Sequence, residues 1–331
     1  MKGRQALLAL VAIGALAMFA QSVRQLGLEQ MIEGLDRVGW GFVAIVLLSG
    51  AREAVRTLAW MRTTEGPVPL RFPQAFRARL VGEALNTLLP MGIVVGEPTK
   101  ASHAGSDIPF ATAFNALVVE FAFYCLSLVL LFCAGFSAFL LLSDIRPSVS
   151  ALSLGITTVA MAAVGAFHVR RSWRATAHGQ FIAHRHGRIA TITSGAVGGL
   201  RRLRDLVIGF TARHPEQVGA IVALEIAYQI FAVTEVYFTL LLVSPSRPTF
   251  ESAIVLETVS RAVTMVFKVV PLRVGVDEVS SSLFAGRVQL SGPIGLTLAI
   301  VRKLRLLFWG AIGLALLARR PAWANPVVAR S

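Results

Sequence analysis

Residues 83–105 read EALNTLLPMGIVVGEPTKASHAG, inside a chain otherwise given over to apolar runs. The stretch holds two carboxylates (Glu83, Glu97), a lysine (Lys100), two prolines (Pro90, Pro98) and Asn86, Gly92, Gly96 and Gly105. Proline inside a helix removes a backbone hydrogen bond and clashes with the preceding turn. Neighbouring glycines permit the open backbone that results. In a bilayer such a break is tolerated only where it is buried in protein or lines water. In a membrane chain, then, the stretch predicts a broken helix beside a polar cavity.

Composition says that this is a membrane chain. Of 331 residues, 55% are apolar and 15% charged, with mean hydropathy +0.68. Soluble domains carry about a quarter charged residues. Apolar runs over about 5–22, 39–60, 108–142, 150–168, 217–243 and 293–318 approach or exceed the roughly 20 helical residues that cross a hydrocarbon core of about 30 Å. The two cysteines, Cys125 and Cys133, share one such run, and no His or Cys cluster has metal-ligand spacing. No metal and no cofactor are expected.

Net charge is +14, carried by 28 Arg and 4 Lys. Residues 170–214 concentrate it, with nine Arg, four of the six His and one acid, Asp205. Nucleic-acid binding would call for interleaved stacking aromatics, and this stretch has only Trp173, Phe181 and Phe210. A nucleic-acid partner is rejected. Lys and Arg collect in cytoplasmic loops instead, so 170–214 reads as a basic cytoplasmic loop. Its part ITSGAVGGLRRLRDLVIGF (192–210) is either a helix lying on the anionic inner leaflet or a solvated loop. Residues 62–79, RTTEGPVPLRFPQAFRAR, read as a Pro-rich basic linker that places Arg62, Arg71, Arg77 and Arg79 inside.

The opening stretch has an echo. Residues 271–286, PLRVGVDEVSSSLFAG, aligned with 90–105, match Pro90 with Pro271, Glu97 with Glu278, Ala104 with Ala285 and Gly105 with Gly286. All four pairs share an offset of 181, which also carries the run 39–60 into 217–243 and 108–142 over 293–318. If each Pro-broken region enters the bilayer and returns on the same side, three spans lie between the two, so they enter from opposite faces. The expected fold is an all-α polytopic membrane protein with about six full spans plus two Pro-broken re-entrant hairpins in an inverted repeat, as in many secondary transporters. The chain reads as one domain over 1–331, the first repeat about 1–145 and the second about 146–320. Both termini are expected in the cytoplasm. This places Lys2, Arg4, Arg319, Arg320 and Arg330 inside, and leaves outside only Arg24, Arg37, Arg146, Arg247 and Arg287.

Ionisable residues at membrane depth cost a few kcal/mol or more each unless paired or hydrated. The cations so placed are Arg52, Arg56, Lys100, Arg261, Lys268, Arg273, Arg302, Lys303 and Arg305. The anions are Glu53, Glu83, Glu97, Glu120, Glu225, Glu235, Glu257, Asp277 and Glu278. As a set they point to a polar path, and the planar arginine fork suits a phosphate-bearing headgroup.

The motif NTLLPMGIVVGEPTKA (86–101) resembles the pattern of Asn, Leu-Pro, Gly, Gly-Glu and a basic residue in the lysylphosphatidylglycerol synthase/flippase-like membrane family, and PLRVGVDE (271–278) is similar to its later Pro–Gly–Glu element. That family includes the flippase region of aminoacyl-phosphatidylglycerol synthases and a hopanoid-cluster membrane protein. The resemblance implies functional roles for Asn86, Pro90, Gly96, Glu97 and Lys100, and for Pro271, Gly275 and Glu278. Two departures are Pro98 after Glu97, and a lysine, Lys100, where the family has arginine. No aminoacyl-transferase domain is expected after the last span, so the resemblance implies lipid handling rather than lysine transfer.

The expected function is translocation of a lipid or lipid-linked headgroup across the bacterial inner membrane, with transport favoured over catalysis and no catalytic residue assigned. The alternative is an integral-membrane transferase or a scaffold in lipid or glycolipid biosynthesis. The candidate substrate path adds Arg52, Arg56, Arg273, Arg302 and Arg305 to the motif residues. Membrane lipids of phospholipid, polyprenoid or hopanoid type are the expected partners, together with lipid-biosynthesis enzymes.

Overall fold

The structure, a computed structural model, describes residues 32, 36–89, 92–105, 107–142, 194–267, 273 and 275–319. The helices are α1 (Gly41–Thr63), α2 (Phe72–Leu88), α3 (Ile93–Ser102), α4 (Phe110–Leu142), α5 (Ser194–Arg213), α6 (Pro215–Val243), α7 (Phe250–Val266), α8 (Val276–Arg287) and α9 (Gly292–Ala318). No strand occurs among the described residues. The protein is all-α, as its hydropathy predicts. The apolar runs at 39–60, 108–142, 217–243 and 293–318 are α1, α4, α6 and α9. Those at 5–22 and 150–168 lie outside the described residues.

α4 (33 residues) and α6 (29 residues) are long and apolar enough to cross a membrane. α1 and α9 have 23 and 27 residues, about 35 and 40 Å of helix at 1.5 Å per residue. Both carry charged side chains mid-helix.

Both breaks expected from proline occur. α2 stops at Leu88, and Leu89, the residue before Pro90, is extended (φ −92°, ψ 143°). A residue before proline is pushed out of the helical region by the proline ring. α3 then runs back antiparallel to α2. A Cβ at Gly96 would strike Asn86 Oδ1 and the Gly82 carbonyl, and one at Gly82 would strike the Lys100 side chain, so contact positions rise along one helix as they fall along the other. Pro98 lies inside α3, and the Thr99 hydroxyl donates to the Val95 carbonyl at 2.6 Å beside it. In the second half, α7 ends at Val266 and α8 begins after Gly275, whose φ of +87° favours glycine. Pro90 and Pro271 themselves are outside the described residues.

One expectation is corrected, and one open alternative is decided. Residues 62–79 are not all linker: α2 begins at Phe72, because Pro73 sits in the first turn, where its fixed φ suits a helix and its missing N–H costs nothing. Arg79 therefore falls on the interior face of α2 with no exposed surface. Residues 194–213, the part of the basic stretch that is described, form helix α5 rather than a solvated loop. Leu206 and Phe210 pack it against Val119 and Phe123 of α4 and Ile221 of α6.

Contacts fix the remaining directions. α1 and α6 are antiparallel, with Gly41 near Leu242, Arg52 bonded to Glu235 and Arg62 bonded to Gln217. α1 and α9 are parallel: Arg37 reaches Thr297 at 3.2 Å, and Trp309 donates to Ser49 Oγ at 2.7 Å. One apolar core joins α4, α6, α7, α8 and α9 around Leu128, Leu240, Leu256 and Leu298. A second joins the end of α1 to α2, α3 and the start of α4 around Trp60, Ala75, Ala101 and Ala113. Meanwhile Leu126, Leu130, Ile226, Ile230 and Phe308 face outward, while Arg79, Lys100, Glu225 and Lys303 are buried. Water rewards the opposite arrangement. Apolar outside and ionic inside is what hydrocarbon solvent selects.

Candidate functional site

A cavity of about 180 Å³ lies where both broken helix pairs meet α1, α6 and α9. One water needs roughly 10–15 Å³ by the same kind of measure, so the space holds several waters or a polar group of that bulk. Its charged lining comprises five arginines (Arg52, Arg261, Arg273, Arg302, Arg305) and four acids (Glu53, Glu83, Glu257, Asp277). Tyr228, Ser49, Thr87, Ser260, Thr264 and Trp309 add polar groups.

The charges are held in place by pairing. Glu257 of α7 accepts from Arg261 Nε at 2.7 Å and from Arg302 Nη2 at 3.0 Å. Glu235 of α6, just behind the wall, accepts from Arg52 Nη1 at 3.2 Å and from Arg305 Nη1. Arg273 pairs with Asp277 at 3.1 Å. Two central carboxylates thus each serve two arginines, and the lining keeps a positive excess. Three guanidinium groups, Arg52, Arg56 and Arg261, lie 5.3–5.4 Å from the Tyr228 ring centroid, where its electron-rich face attracts cations. Arg52 Nε and Glu53 Oε2 have no hydrogen-bond partner among the described residues.

The motif residues take other positions. Lys100, buried in α3, donates to Glu83 at 2.6 Å and Glu97 at 2.8 Å, and Asn86 Nδ2 donates to the same Glu97 oxygen at 2.8 Å. This knot pins α3 to α2, and Gly96 supplies the close approach it needs. Only Glu83 of the knot lines the cavity. In the second half, the Glu278 carboxylate accepts from the Gly275 N–H at 2.8 Å, closing the first turn of α8, and also receives Lys303 of α9. Lys303 further reaches the Arg273 carbonyl at 3.4 Å. So the structure gathers Arg52, Arg273, Arg302 and Arg305 at one cavity, while Asn86, Gly96, Glu97, Lys100, Gly275 and Glu278 set the shape of its two broken walls.

Arg56 lies one turn from Arg52 on α1. Its guanidinium meets Glu120 of α4 through Nε at 2.8 Å and stacks 4.0 Å above the Tyr124 ring. Arg79 reaches the same Glu120 oxygen at 2.8 Å. Glu53, Glu83, Tyr228, Glu257, Arg261 and Asp277 complete the lining without having been singled out as site residues. Apart from Tyr228, which carried no signal, their signal was charge at membrane depth; the facing helix that gives each its place is not written in the spacing. Among the described residues no group of three His, Cys, Asp or Glu side chains could hold a metal ion.

The family model for the lysylphosphatidylglycerol synthase TM region matches residues 6–315, nearly the whole chain. The chain belongs to that family. Membership makes it a membrane protein with a lipid-related role, and the family match spans both broken helix pairs and every residue of the cavity. No curated protein and no solved structure matches the chain.

Proposed function

We propose that this lysylphosphatidylglycerol synthase-like membrane protein translocates a lipid or lipid-linked headgroup across the bacterial inner membrane. The observation that carries the reading is the arginine-rich cavity, walled by both broken helix pairs within an otherwise apolar exterior. Guanidinium forks bind phosphate oxygens two at a time. A headgroup entering the cavity would compete with Glu257 and Glu235 for arginines that each already share, while its acyl chains stay among the outward Leu and Ile side chains.

In this reading the α2–α3 and α7–α8 pairs are re-entrant hairpins entering from opposite faces, flanked by six full spans, with both termini cytoplasmic and 1–331 forming one domain. The recurrence of helix order supports it. Shifted by 181 residues, α1–α4 fall on α6–α9 to within a few residues at most ends, and within about two turns at the start of α6. The cargo is a phospholipid, polyprenoid or hopanoid-type lipid, delivered by an enzyme of lipid biosynthesis.

The test is transbilayer movement of labelled lipids in proteoliposomes. Wild-type protein should move an anionic phospholipid, and Arg302→Gln should reduce the rate at least tenfold while the folded protein is retained. Glu97→Gln and Glu278→Gln should reduce it too, by disturbing the hairpins. No movement of any lipid across a panel with phospholipid, polyprenyl-phosphate and hopanoid members sinks the translocation reading and favours the transferase or scaffold.

A further inference from the structure

α6 carries a buried acid that the cavity does not use. Glu225 has no exposed surface, and neither of its carboxyl oxygens has a hydrogen-bond partner among the described residues. Four residues on, Gln229 is also buried; its amide nitrogen donates to Ser127 Oγ at 2.9 Å, but its amide oxygen has no donor. Side chains four apart on a helix are neighbours. The pair thus brings three unpartnered acceptor oxygens to one buried region, against the single remaining N–H of the Gln229 amide. An ionised carboxylate there would have lost its water with nothing in exchange, which is among the most costly arrangements open to an acid. A single proton removes both deficits. The neutral carboxyl gains an O–H donor, and the Gln229 oxygen is an acceptor within reach of it.

The surroundings offer a second home for the ionised form. The charged groups within electrostatic range of Glu225 are Arg56 and Glu53 of α1, Arg79 of α2 and Glu120 of α4, none of them in an ion pair with it. Tyr124 of α4 lies under Arg56, and Tyr228 is one turn away on α6 itself. α5 presents apolar Leu206 and Phe210 at its contact with α6. α7 and α9 bring Arg261 and Arg305 to α6 farther along, at Tyr228 and Glu235. Arg56 is committed to Glu120. Arg79 makes its hydrogen bonds through Nη2; its Nη1 stands 3.9 Å from Glu83 as an ion pair, and its Nε has no hydrogen-bond partner among the described residues.

We propose that Glu225 is a proton-binding site: protonated, it donates to Gln229; ionised, it turns to Arg79, whose Nε has no hydrogen-bond partner among the described residues. One proton exchanges with water at the carboxylate, and no other covalent bond changes. Because Arg79 and Arg56 share Glu120, occupancy of the site bears directly on the junction of α1, α2, α4 and α6, one turn from the cavity residue Tyr228. The inference stands apart from lipid translocation and does not require it.

Infrared difference spectroscopy on the purified full chain in lipid nanodiscs tests it without a transport assay. At neutral pH the wild type should show the carbonyl-stretch band of a protonated, buried carboxylic acid. Glu225→Gln should abolish that band, and Gln229→Leu should shift it to higher frequency by removing its acceptor. Should Glu225→Gln fail to fold, Glu225→Asp and Gln229→Leu carry the test through their band shifts. A protonated-carboxyl spectrum that none of these variants alters overturns the proposal, and so does its absence from the wild type. Neither result touches the lipid reading, which the vesicle assay decides separately.

Discussion

In the first half of the molecule an arginine of α1, Arg56, pairs with a glutamate of α4, Glu120. In the second half the corresponding helices exchange signs: Glu235 of α6 receives Arg305 of α9. Shifted by 181, Arg56 falls two residues from Glu235 and Glu120 four residues from Arg305. The two broken pairs differ as well. The first carries an internal knot, since Asn86, Glu83, Glu97 and Lys100 all belong to α2 and α3, while Arg79 ties α2 outward to α1 and α4. The second is tied to a neighbour through Lys303 of α9 and carries two left-handed residues at its break, Arg273 (φ 48°) and Gly275 (φ 87°). The scaffold tolerates a reversal of charge because what each helix contact needs is neutralisation, not a particular sign at a particular helix. It also knots one wall internally and leaves the other dependent on α9.

The sharpest way to break this comparison is to strip the shared carboxylates. Glu120→Gln takes the hydrogen-bonded carboxylate from Arg56 and Arg79, leaving Arg79 only Glu83 at 3.9 Å, and Glu235→Gln does the same to Arg52 and Arg305, leaving Arg52 only Glu53 at 4.0 Å. Uncompensated buried charges cost about 3–5 kcal/mol. Both variants should lose most of their monodisperse protein in size-exclusion chromatography. A normal melting temperature in either would deny that the two contacts are equivalents.

Next come the two lysines. Lys100→Met strands two carboxylates and should destabilise by about 3–5 kcal/mol, whereas Lys303→Met frees one that keeps its bond to the Gly275 amide and should cost about 1–3 kcal/mol. Hydrogen exchange should rise across 83–102 in the first and across 275–287 in the second. Increased exchange in α3 caused by Lys303→Met would show that the walls are not independent.

Smaller effects are expected from glycine. Gly96→Ala should cost about 1–3 kcal/mol, because its Cβ runs into Asn86 and the Gly82 backbone. Gly275→Ala faces open space and should cost only the about 1–2 kcal/mol of its left-handed backbone. Chemical-denaturation midpoints would rank the two, and the reverse order would mean that α8 is packed more tightly than α3.

The least effect concerns the caps that start the first helix of each broken pair. Thr249 accepts a 3.2 Å bond from the Ser252 amide at the head of α7, while Arg71 gives α2 no side-chain cap. Thr249→Ala should therefore cost about 1 kcal/mol, and Arg71→Ser should return a similar or smaller amount. Thermal melts read both, and a stabilising Thr249→Ala would contradict the cap.

Helix positions were legible in the sequence where hydropathy alone decides them, as at α4 and α6. The breaks were legible through proline and glycine at 90–96 and 271–275. Partner choice was not. Arg79 looked like part of a basic linker, because Pro67, Pro69 and Pro73 punctuate the residues before it, yet Pro73 begins the helix that buries it. Glu257 and Arg261 read as two more charges in an irregular region. What makes them cavity walls is the facing Arg302 and Tyr228, 45 and 33 residues away along the chain. Charge at membrane depth announces that a partner exists; only packing says which.

The ionic residues inside α1 and α9 also bear on how the chain enters its membrane. A cation at the centre of an inserting helix costs about 2.5–3.5 kcal/mol, against a gain of about 0.3–0.6 for each large apolar residue. α9 carries three, Arg302, Lys303 and Arg305, whose carboxylate partners lie on α6, α7 and α8 and are synthesised before it. α9 therefore inserts against helices already waiting with their acids exposed. α1 has the reverse problem, because Glu120 and Glu235 emerge from the ribosome only after it. The two arginines of α1 are thus made before their anions: Arg56 gains Glu120 with α4, and Arg52 gains Glu235 only with α6.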